Sequence, residues 1–489
     1  MSMPNINDME GFPGPGLKTT EVRTVPNVFK YKRNAKNGVI LNFQPSSQVR
    51  FEPTNGSQEV RPTGKVSFKI ADEKRFWLVN ETLHKYRVVG YKDGNEVEEG
   101  TVTYQLCQSG TDVVWKRQSV LIGGRIIEDL NNYNLFTAHE NALSSWETKQ
   151  HLGMCEYYST EENDRSDLVA KNKAYTVTGS SLSFFQNDIA FPLALVKGGV
   201  TYELSAEPDY KTVFPNHENI DSYRIVDNEL ICQFAEPTAE YYEFLIGMIQ
   251  EKHALAIPMQ LVWSQEFDGS DTRVQQLSLV TGEQTSISSL ILVTTDKDRE
   301  DVDKLNYSDD AYIRTVSFQV GTQRFPEGKS ISNGSPRDGK VTIDPEMYAL
   351  SQCNKDFNNI AFAPTIMDME GWELHGKKIK HWSLRQNFKQ TPDMIGGGLQ
   401  TLADGRILIN ISQYPNPPEI TPNFETDGWV YVPASPAVAA AGDNPAVAAV
   451  AAHYVPGPIP KFKGKTFHVF WTTDHEMLID YSGVRLLPA

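Results

Sequence analysis

The chain is poor in cysteine. Four occur in 489 residues, Cys107, Cys155, Cys232 and Cys353, and no two lie close together. That excludes a C-x-x-C metal or redox motif and is too few for a disulfide-stapled scaffold. Buried, reduced thiols made in a reducing compartment are the expectation. Long hydrophobic runs are also missing. No window approaches the roughly 18 apolar residues of a membrane span. The longest such stretch, 437–452, is broken by Gly442, Asp443, Asn444 and Pro445. Met1–Gly16 is polar and rich in Pro and Gly, with no apolar centre, so no secretory signal is expected. Without one, the N-x-S/T sequons at Asn55, Asn80, Asn306, Asn333 and Asn410 read as chance. Nor is there a surplus of positive charge. Lys and Arg number 46 against 62 Asp and Glu, a net charge of −16. A protein that coats nucleic acid with its whole surface needs clustered cations, as does a polybasic membrane-surface protein, and this balance disfavours both.

Catalytic motifs are scarce as well. The histidines offer no H-E-x-x-H, and no G-x-S-x-G elbow is present. Gly328-Lys329-Ser330 lacks the preceding glycine of a phosphate-binding loop, because position 323 is Gln, so it reads as a β-turn. Asp474-His475-Glu476 cannot present three neighbours to one metal from a strand and reads as an exposed loop. Gly396-Gly397-Gly398 lacks a strand–turn–helix setting and reads as a flexible turn before Leu399–Leu402. Carboxylates are plentiful, so a glycosidase pair stays open on spacing alone. The 23 Phe, 20 Tyr and 8 Trp could stack on sugars, but most sit at alternating strand positions, where a core needs them. No catalytic, cofactor or metal residue is assigned.

What is present is a long series of short strand signals. At roughly 150 residues per domain the length allows two or three domains, or two large all-β ones. Strands are predicted at Lys65–Ala71, Arg75–Val79, Tyr86–Tyr91, Thr101–Leu106, Val113–Ile122 and Arg125–Ile127. They resume at Lys173–Phe185, Phe191–Leu195, Val200–Leu204 and Tyr223–Phe234. The second half repeats the texture at Ala256–Trp263, Val274–Val280, Ser286–Thr295, Ile313–Val320, Lys340–Ile343, Lys380–Leu384, Arg406–Ile411, Phe467–Trp471 and Met477–Leu487. Helices are few. Leu130–Gln150 carries Tyr133, Phe136, Leu143 and Trp146 at helical spacing, and a polar loop follows through 161–167. Thr238 is a candidate N-cap for a helix with Tyr242, Leu245, Ile246 and Ile249 on one face, ending near Lys252. A short helix is predicted over Glu346–Ser351. Strands do not alternate with long helices, which argues against a parallel α/β sheet and for sandwiches or barrels.

Two segments stand apart. Residues 1–36 read as an irregular arm interrupted by Pro4, Pro13, Pro15 and Pro26. Its stretch from Lys18 to Lys36 is locally basic: Lys18, Arg23, Lys30, Lys32, Arg33 and Lys36 face Glu21 alone. It reads either as an arm that touches something acidic or as a solvated tail. Gln413–Lys463 holds ten prolines, and its SPAVAAA (Ser435–Ala441) is nearly copied by NPAVAAV (Asn444–Val450). No strand is predicted in it, so it reads as an excursion from a domain.

The order of segments resembles a family. Val120–Asn134 (VLIGGRIIEDLNNYN) is similar to a strand–helix step. Ser180–Glu207, with Phe191-Pro192-Leu193 and Val200-Thr201-Tyr202-Glu203-Leu204, is similar to a strand pair. Tyr223–Lys252 is similar to a closing strand and helix, and Ile379–Asn410 followed by Met477–Leu487 to a terminal set. These passages resemble the double jelly-roll major capsid proteins of double-stranded DNA viruses. The virophage and Polinton-like virus branch is nearest and the nucleocytoplasmic large DNA viruses, whose LPLIALQYHEV string is lacking, are further off. The resemblance implies an all-β fold of two consecutive eight-stranded jelly-roll β-sandwiches, with short helices in the connections and an irregular N-terminal arm. It divides the chain into the arm 1–36, a first roll 37–253 and a second roll 254–489 with a tower insertion at 413–463. It implies a non-enzymatic major capsid protein whose homotrimers form pseudo-hexameric capsomers in an icosahedral virion capsid, assembled in the host cytoplasm or nucleus. Implied partners are its own copies, penton and minor capsid proteins, and an internal membrane or the genome through the arm, with Lys30, Lys32, Arg33 and Lys36 as capsid-interior contacts. No cofactor or small-molecule substrate is implied. The rival readings are a β-sandwich carbohydrate-processing enzyme or binding protein, and a minor vertex or attachment capsid protein.

Overall fold

The computed structural model describes residues 43–97, 111–142, 176–296, 313–341, 383–388, 398–413, 429–432, 453–456 and 465–488, apart from positions 55, 57–58, 188, 215–219, 252–253, 270–273, 282–285, 328, 333–335, 338–339, 402–404 and 481–482. The arm 1–36, the strand expected at Thr101–Leu106, the loop 161–167 and the helix expected at Glu346–Ser351 lie outside the described residues.

The first half contributes β1 (Phe43–Phe51), β2 (Lys65–Ile70), β3 (Phe76–Lys92), β4 (Trp115–Ile122), β5 (Arg125–Asn131), α1 (Tyr133–Ala142), β6 (Thr176–Thr178), α2 (Ser183–Gln186), β7 (Ala190–Phe191), β8 (Val200–Ala206), β9 (Ser222–Pro237) and α3 (Ala239–Gln250). The second half contributes β10 (Leu255–Asp268), β11 (Val274–Val280), β12 (Ser286–Asp296), β13 (Ile313–Val320), β14 (Ser383–Asn387), β15 (Leu399–Gln400), β16 (Arg406–Gln413), β17 (Trp429–Val432), β18 (His453–Pro456), β19 (Lys465–Asp480) and β20 (Gly483–Pro488).

Three sheets organise these strands. A seven-stranded sheet runs β1–β9–β3 with β6 and β7 also on β3, and draws only on the first half. A five-stranded sheet runs β11–β16–β13 and draws only on the second half. Between them a ten-stranded sheet is shared, in the order β14–β12–β19–β10–β5–β4–β8–β2, with β15 on β12 and β20 on β19. Each half thus sets its own sheet against its own end of the common one. The first core shows the alternation that drives this. In β8, Val200, Tyr202, Leu204 and Ala206 are buried while Thr201, Glu203 and Ser205 between them are partly open, the period-two pattern of a strand with one face on a core. At the end of the shared sheet, β2 exposes Lys65 and Lys69, and Thr54 caps its outer side, donating its N–H to the Ser67 carbonyl (2.7 Å) and accepting from the Lys69 N–H on its Oγ1 (2.9 Å).

The second half's part of the shared sheet is covered on both faces. Along β12, Leu290 and Leu292 belong to the second half's core, while Ile291 and Val293 belong to the core of the first. This accounts for an unbroken buried run, Ile287–Thr294, where a one-sided strand would alternate.

Several sequence expectations are revised by this packing. Arg75–Val79 and Tyr86–Tyr91 are parts of one 17-residue strand, β3, whose pairing with β9 shifts register twice. Lys173–Phe185 is not one strand: among its described residues, 176–185, Thr176–Thr178 form a strand and a helix begins at Ser183. Phe467–Trp471 belongs to a 16-residue strand that runs through the polar Thr472–Glu476. The Pro-rich 413–463 stretch is not without strands, because β17 and β18 pair antiparallel, Trp429 opposite Pro456 and Val432 opposite His453. The helix over Ala239–Gln250 follows Thr238 as expected.

Candidate functional site

The most elaborate arrangement of side chains lies at the seam where the two halves share a sheet. β5 and β10 run parallel there, with the single Cα pairing of Asp129 and Trp263. Arg125–Asn131 reaches the seam because β4 and β5 form a tight hairpin over Gly123 and Gly124, both at positive φ, where glycine costs nothing.

Glu128 sits at the centre of the seam and is fully buried. Its Oε1 accepts from the backbone N–H of Ser183 (3.0 Å) and of Val262 (2.8 Å), and its Oε2 from that of Phe184 (2.9 Å). One carboxyl group therefore joins β5, α2 and β10. It also explains why 183–186 coils: the first turn of α2 has its orphan N–H groups satisfied by this side chain. Burial pushes the Glu128 carboxyl up to about 7, outweighing the pull of the three donors.

Further ties flank it. Ser264 Oγ accepts from the Asn131 backbone at 3.1 Å. Asn132, held at φ 54, donates through Nδ2 to Glu266 Oε2 (2.9 Å) and to His468 Nδ1 (3.3 Å). With Nδ1 accepting, His468 Nε2 carries the proton and donates to Thr295 Oγ1 at 2.9 Å. Burial lowers the His468 pKa to about 4, which keeps the ring neutral. Arg125 donates to the Val484 carbonyl at 3.2 Å. Between these polar ties the seam is apolar. Phe136 of α1 packs on Phe470 with ring centroids 5.3 Å apart. Ile257, Met259, Leu261, Ile291, Val293, Met477 and Ile479 join the first half's core. The two halves thus share one apolar core across the seam.

Other buried carboxylates are tied to structural partners. Asp112 accepts from the hydroxyls of Tyr133 (3.1 Å) and Tyr86 (3.5 Å). Glu207 accepts from Asn134 Nδ2 at 2.7 Å and lies 3.7 Å from Lys116 Nζ. Asp474, with no exposure at all, accepts from Gln260 Nε2 at 2.8 Å and Ser286 Oγ at 2.9 Å. Each of these groups is taken up by partners on neighbouring core elements.

The sequence motifs fall as follows. His475 is not in an exposed loop: it is buried in β19, with Nε2 2.7 Å from Thr473 Oγ1. Thr473 Oγ1 also accepts from Trp263 Nε1 at 2.8 Å. Ser330 accepts from Arg324 at a turn between two short strands. Gly398 does more than loosen a turn, because a Cβ there would lie 2.4 Å from the Ile287 carbonyl oxygen where β15 joins β12. Cys232, the cysteine among the described residues, is a buried free thiol whose pKa burial raises. Lys30, Lys32, Arg33 and Lys36 lie outside the described residues. No group of three metal-ligating side chains occurs among the described residues. Glu128 and Asn132 were not singled out from sequence; their partners lie 55 to 336 positions away along the chain.

No family model matches the sequence and no curated protein matches it. Solved structures do match in fold. The PBCV-1 VP54 structure fitted into a reconstruction of the virophage Sputnik has a TM-score of 0.57 at 9% identity, over 92% of this chain and 97% of that one. The chain has the double jelly-roll fold. A Sputnik virophage structure solved by cryo-EM gives a TM-score of 0.50 at 9% identity, over 96% of this chain and 94% of that one. The Faustovirus major capsid protein gives 0.50 at 7% identity, over 89% and 90%.

Proposed function

We propose that this chain is a viral major capsid protein whose homotrimers form pseudo-hexameric capsomers tiling an icosahedral shell. The observation that carries this reading is likeness along the whole length: the double jelly-roll match covers 92% of this chain and 97% of the PBCV-1 protein. The continuous core across the seam supports it, because a shell block must resist shear between its two rolls. On this reading the rolls divide near residue 253, within the connection between α3 and β10, and the 413–463 insertion with its β17–β18 hairpin is a tower. The protein works by self-association in the virion, without catalysis, next to penton and minor capsid proteins. Trimer interfaces bury surface repeated in each copy.

Purified protein is expected to run in native mass spectrometry at three times 54.9 kDa and to show hexagonal outlines in negative stain. A stable monomer at high concentration would overturn the reading.

The arm is proposed as the inward contact of the shell, with Lys30, Lys32, Arg33 and Lys36 meeting an acidic partner there. Replacing all four with Glu is expected to impair particle assembly or packaging while leaving trimers intact. Particles that form and fill normally with those changes would remove that role.

A further inference from the structure

The helix between the rolls leaves one face open. Of α3, only Tyr241 and Leu245 are buried. Glu240, Glu243 and Phe244 are exposed on one side, Phe244 by 40%, and Gly247 continues that side with nothing within 4 Å of where a Cβ would stand. Glu236, just before the helix, is exposed too. Among the described residues no cation meets Glu236, Glu240 or Glu243. The face combines a large apolar ring with carboxylates, so it fits a segment that carries both aromatic and basic side chains.

The chain holds such a segment close by. Residues 28–36 read Val28-Phe29-Lys30-Tyr31-Lys32-Arg33-Asn34-Ala35-Lys36, four cations interleaved with two aromatics. The sheet register fixes where this segment enters. β1 is antiparallel to β9 and Phe43 pairs with Pro237, two positions before α3 begins. The chain preceding Phe43 therefore leaves the sheet at the end where α3 starts. Six residues lie between Lys36 and Phe43, and the seven steps they make span at most about 25 Å. The 12-residue helix is about 18 Å long. That tether is longer than the helix, so connectivity lets the basic stretch reach α3.

We propose that residues 28–36 of the N-terminal arm bind the open face of α3 in the same chain, with the cations on Glu240 and Glu243 and an aromatic ring on Phe244. Surface ion pairs are individually weak. A short tether raises the local concentration of the arm to the millimolar range, so weak pairs suffice. The contact stands on charge and connectivity, and is proposed for the unassembled chain, before the arm meets its partner inside a shell.

Zero-length carbodiimide cross-linking of unassembled protein tests this, using an equal mixture of 15N-labelled and unlabelled copies. Isopeptide bonds from Lys30, Lys32 or Lys36 to Glu240 or Glu243 are expected, with both peptides carrying the same label. Mixed-label pairs at about half of the total, as random pairing between copies gives, or arm lysines linked only elsewhere, would overturn the proposal. Chymotrypsin gives a second readout at Phe29 and Tyr31. E240K/E243K is expected to speed cleavage there about tenfold, and adding K30E/K32E to it is expected to restore protection. Cleavage unchanged by E240K/E243K, or protection that appears only when double-stranded DNA is added, would overturn it as well. All of this is read on unassembled protein, so the result is separate from whether the chain builds a shell.

Discussion

Truncating Glu128 to alanine is expected to lower the unfolding free energy by about 3 to 5 kcal/mol, because each buried donor left without an acceptor costs about 1 to 3 kcal/mol. Three backbone N–H groups, those of Ser183, Phe184 and Val262, lose their acceptor at once. They belong to α2 and β10, so the loss loosens the first half's core and its seam with the second half together. Glu128→Gln should be milder. Its one carbonyl oxygen can still serve Ser183 and Val262, but its amide N–H2 would face the Phe184 N–H, donor against donor. Denaturant unfolding checks both variants, and equal stability of all three proteins would show that the carboxyl is not what holds the seam.

The same pair of proteins reads out the proton. Burial raises the Glu128 carboxyl from 4.5 to about 7. The folded protein therefore holds this proton more tightly than the unfolded chain does. The stabilisation that results is complete below about pH 4.5 and is lost as the pH rises through about 7. A shift of that size corresponds to roughly 3 kcal/mol at most. Glu128→Gln cannot titrate there, so the stability difference should move in favour of the unsubstituted protein between pH 8 and pH 5. A difference constant across that range would mean that the folded carboxyl titrates near its ordinary value.

Much of the architecture was legible in the sequence, for local reasons. β8 shows itself because Val200, Tyr202 and Leu204 alternate with polar residues over a one-sided core. α3 shows itself through Thr238 and the spacing of Tyr242, Leu245, Ile246 and Ile249. The order of such segments supported the double jelly roll at a level of identity, 9%, where residue-by-residue comparison fails. What stayed hidden depends on partners far away in the chain. Glu128 sits in IIEDL and looks like an outward carboxylate until Ser183, Phe184 and Val262 are folded against it. The centre of β19, Thr472-Thr473-Asp474-His475-Glu476, reads as a break between two apolar strands. It remains extended because β10 lies on one side of it and β12 and β20 on the other, all hydrogen-bonded to its backbone. The β17–β18 hairpin is hidden by the density of prolines around it, which mark a segment as irregular even where four residues on each side pair.

That hidden stretch carries the second large effect. Asp474→Ala is expected to cost about 3 kcal/mol, the range for breaking a buried hydrogen-bonded charge. The Asp474 carboxylate draws Gln260 of β10 and Ser286 of β12 onto β19, so it links three neighbouring strands of the shared sheet. Alanine leaves an amide and a hydroxyl without an acceptor and opens a void between them. Asp474→Asn should cost only about 1 kcal/mol, since one oxygen remains and both the Gln260 amide and the Ser286 hydroxyl can turn to match it. Ser286 also pairs with Gln400 in β15, next to Gly398, which lies against the Ile287 carbonyl. Loss of the carboxylate should therefore speed amide hydrogen exchange in β15 and the start of β12 before it affects the strands of the first half. A double-mutant cycle with Gln260→Ala should return a coupling of about 1 to 2 kcal/mol. Additive costs, with exchange rates in β15 unchanged, would mean that the strands hold their register through backbone pairing alone and that Asp474 is carried by the sheet instead of bracing it.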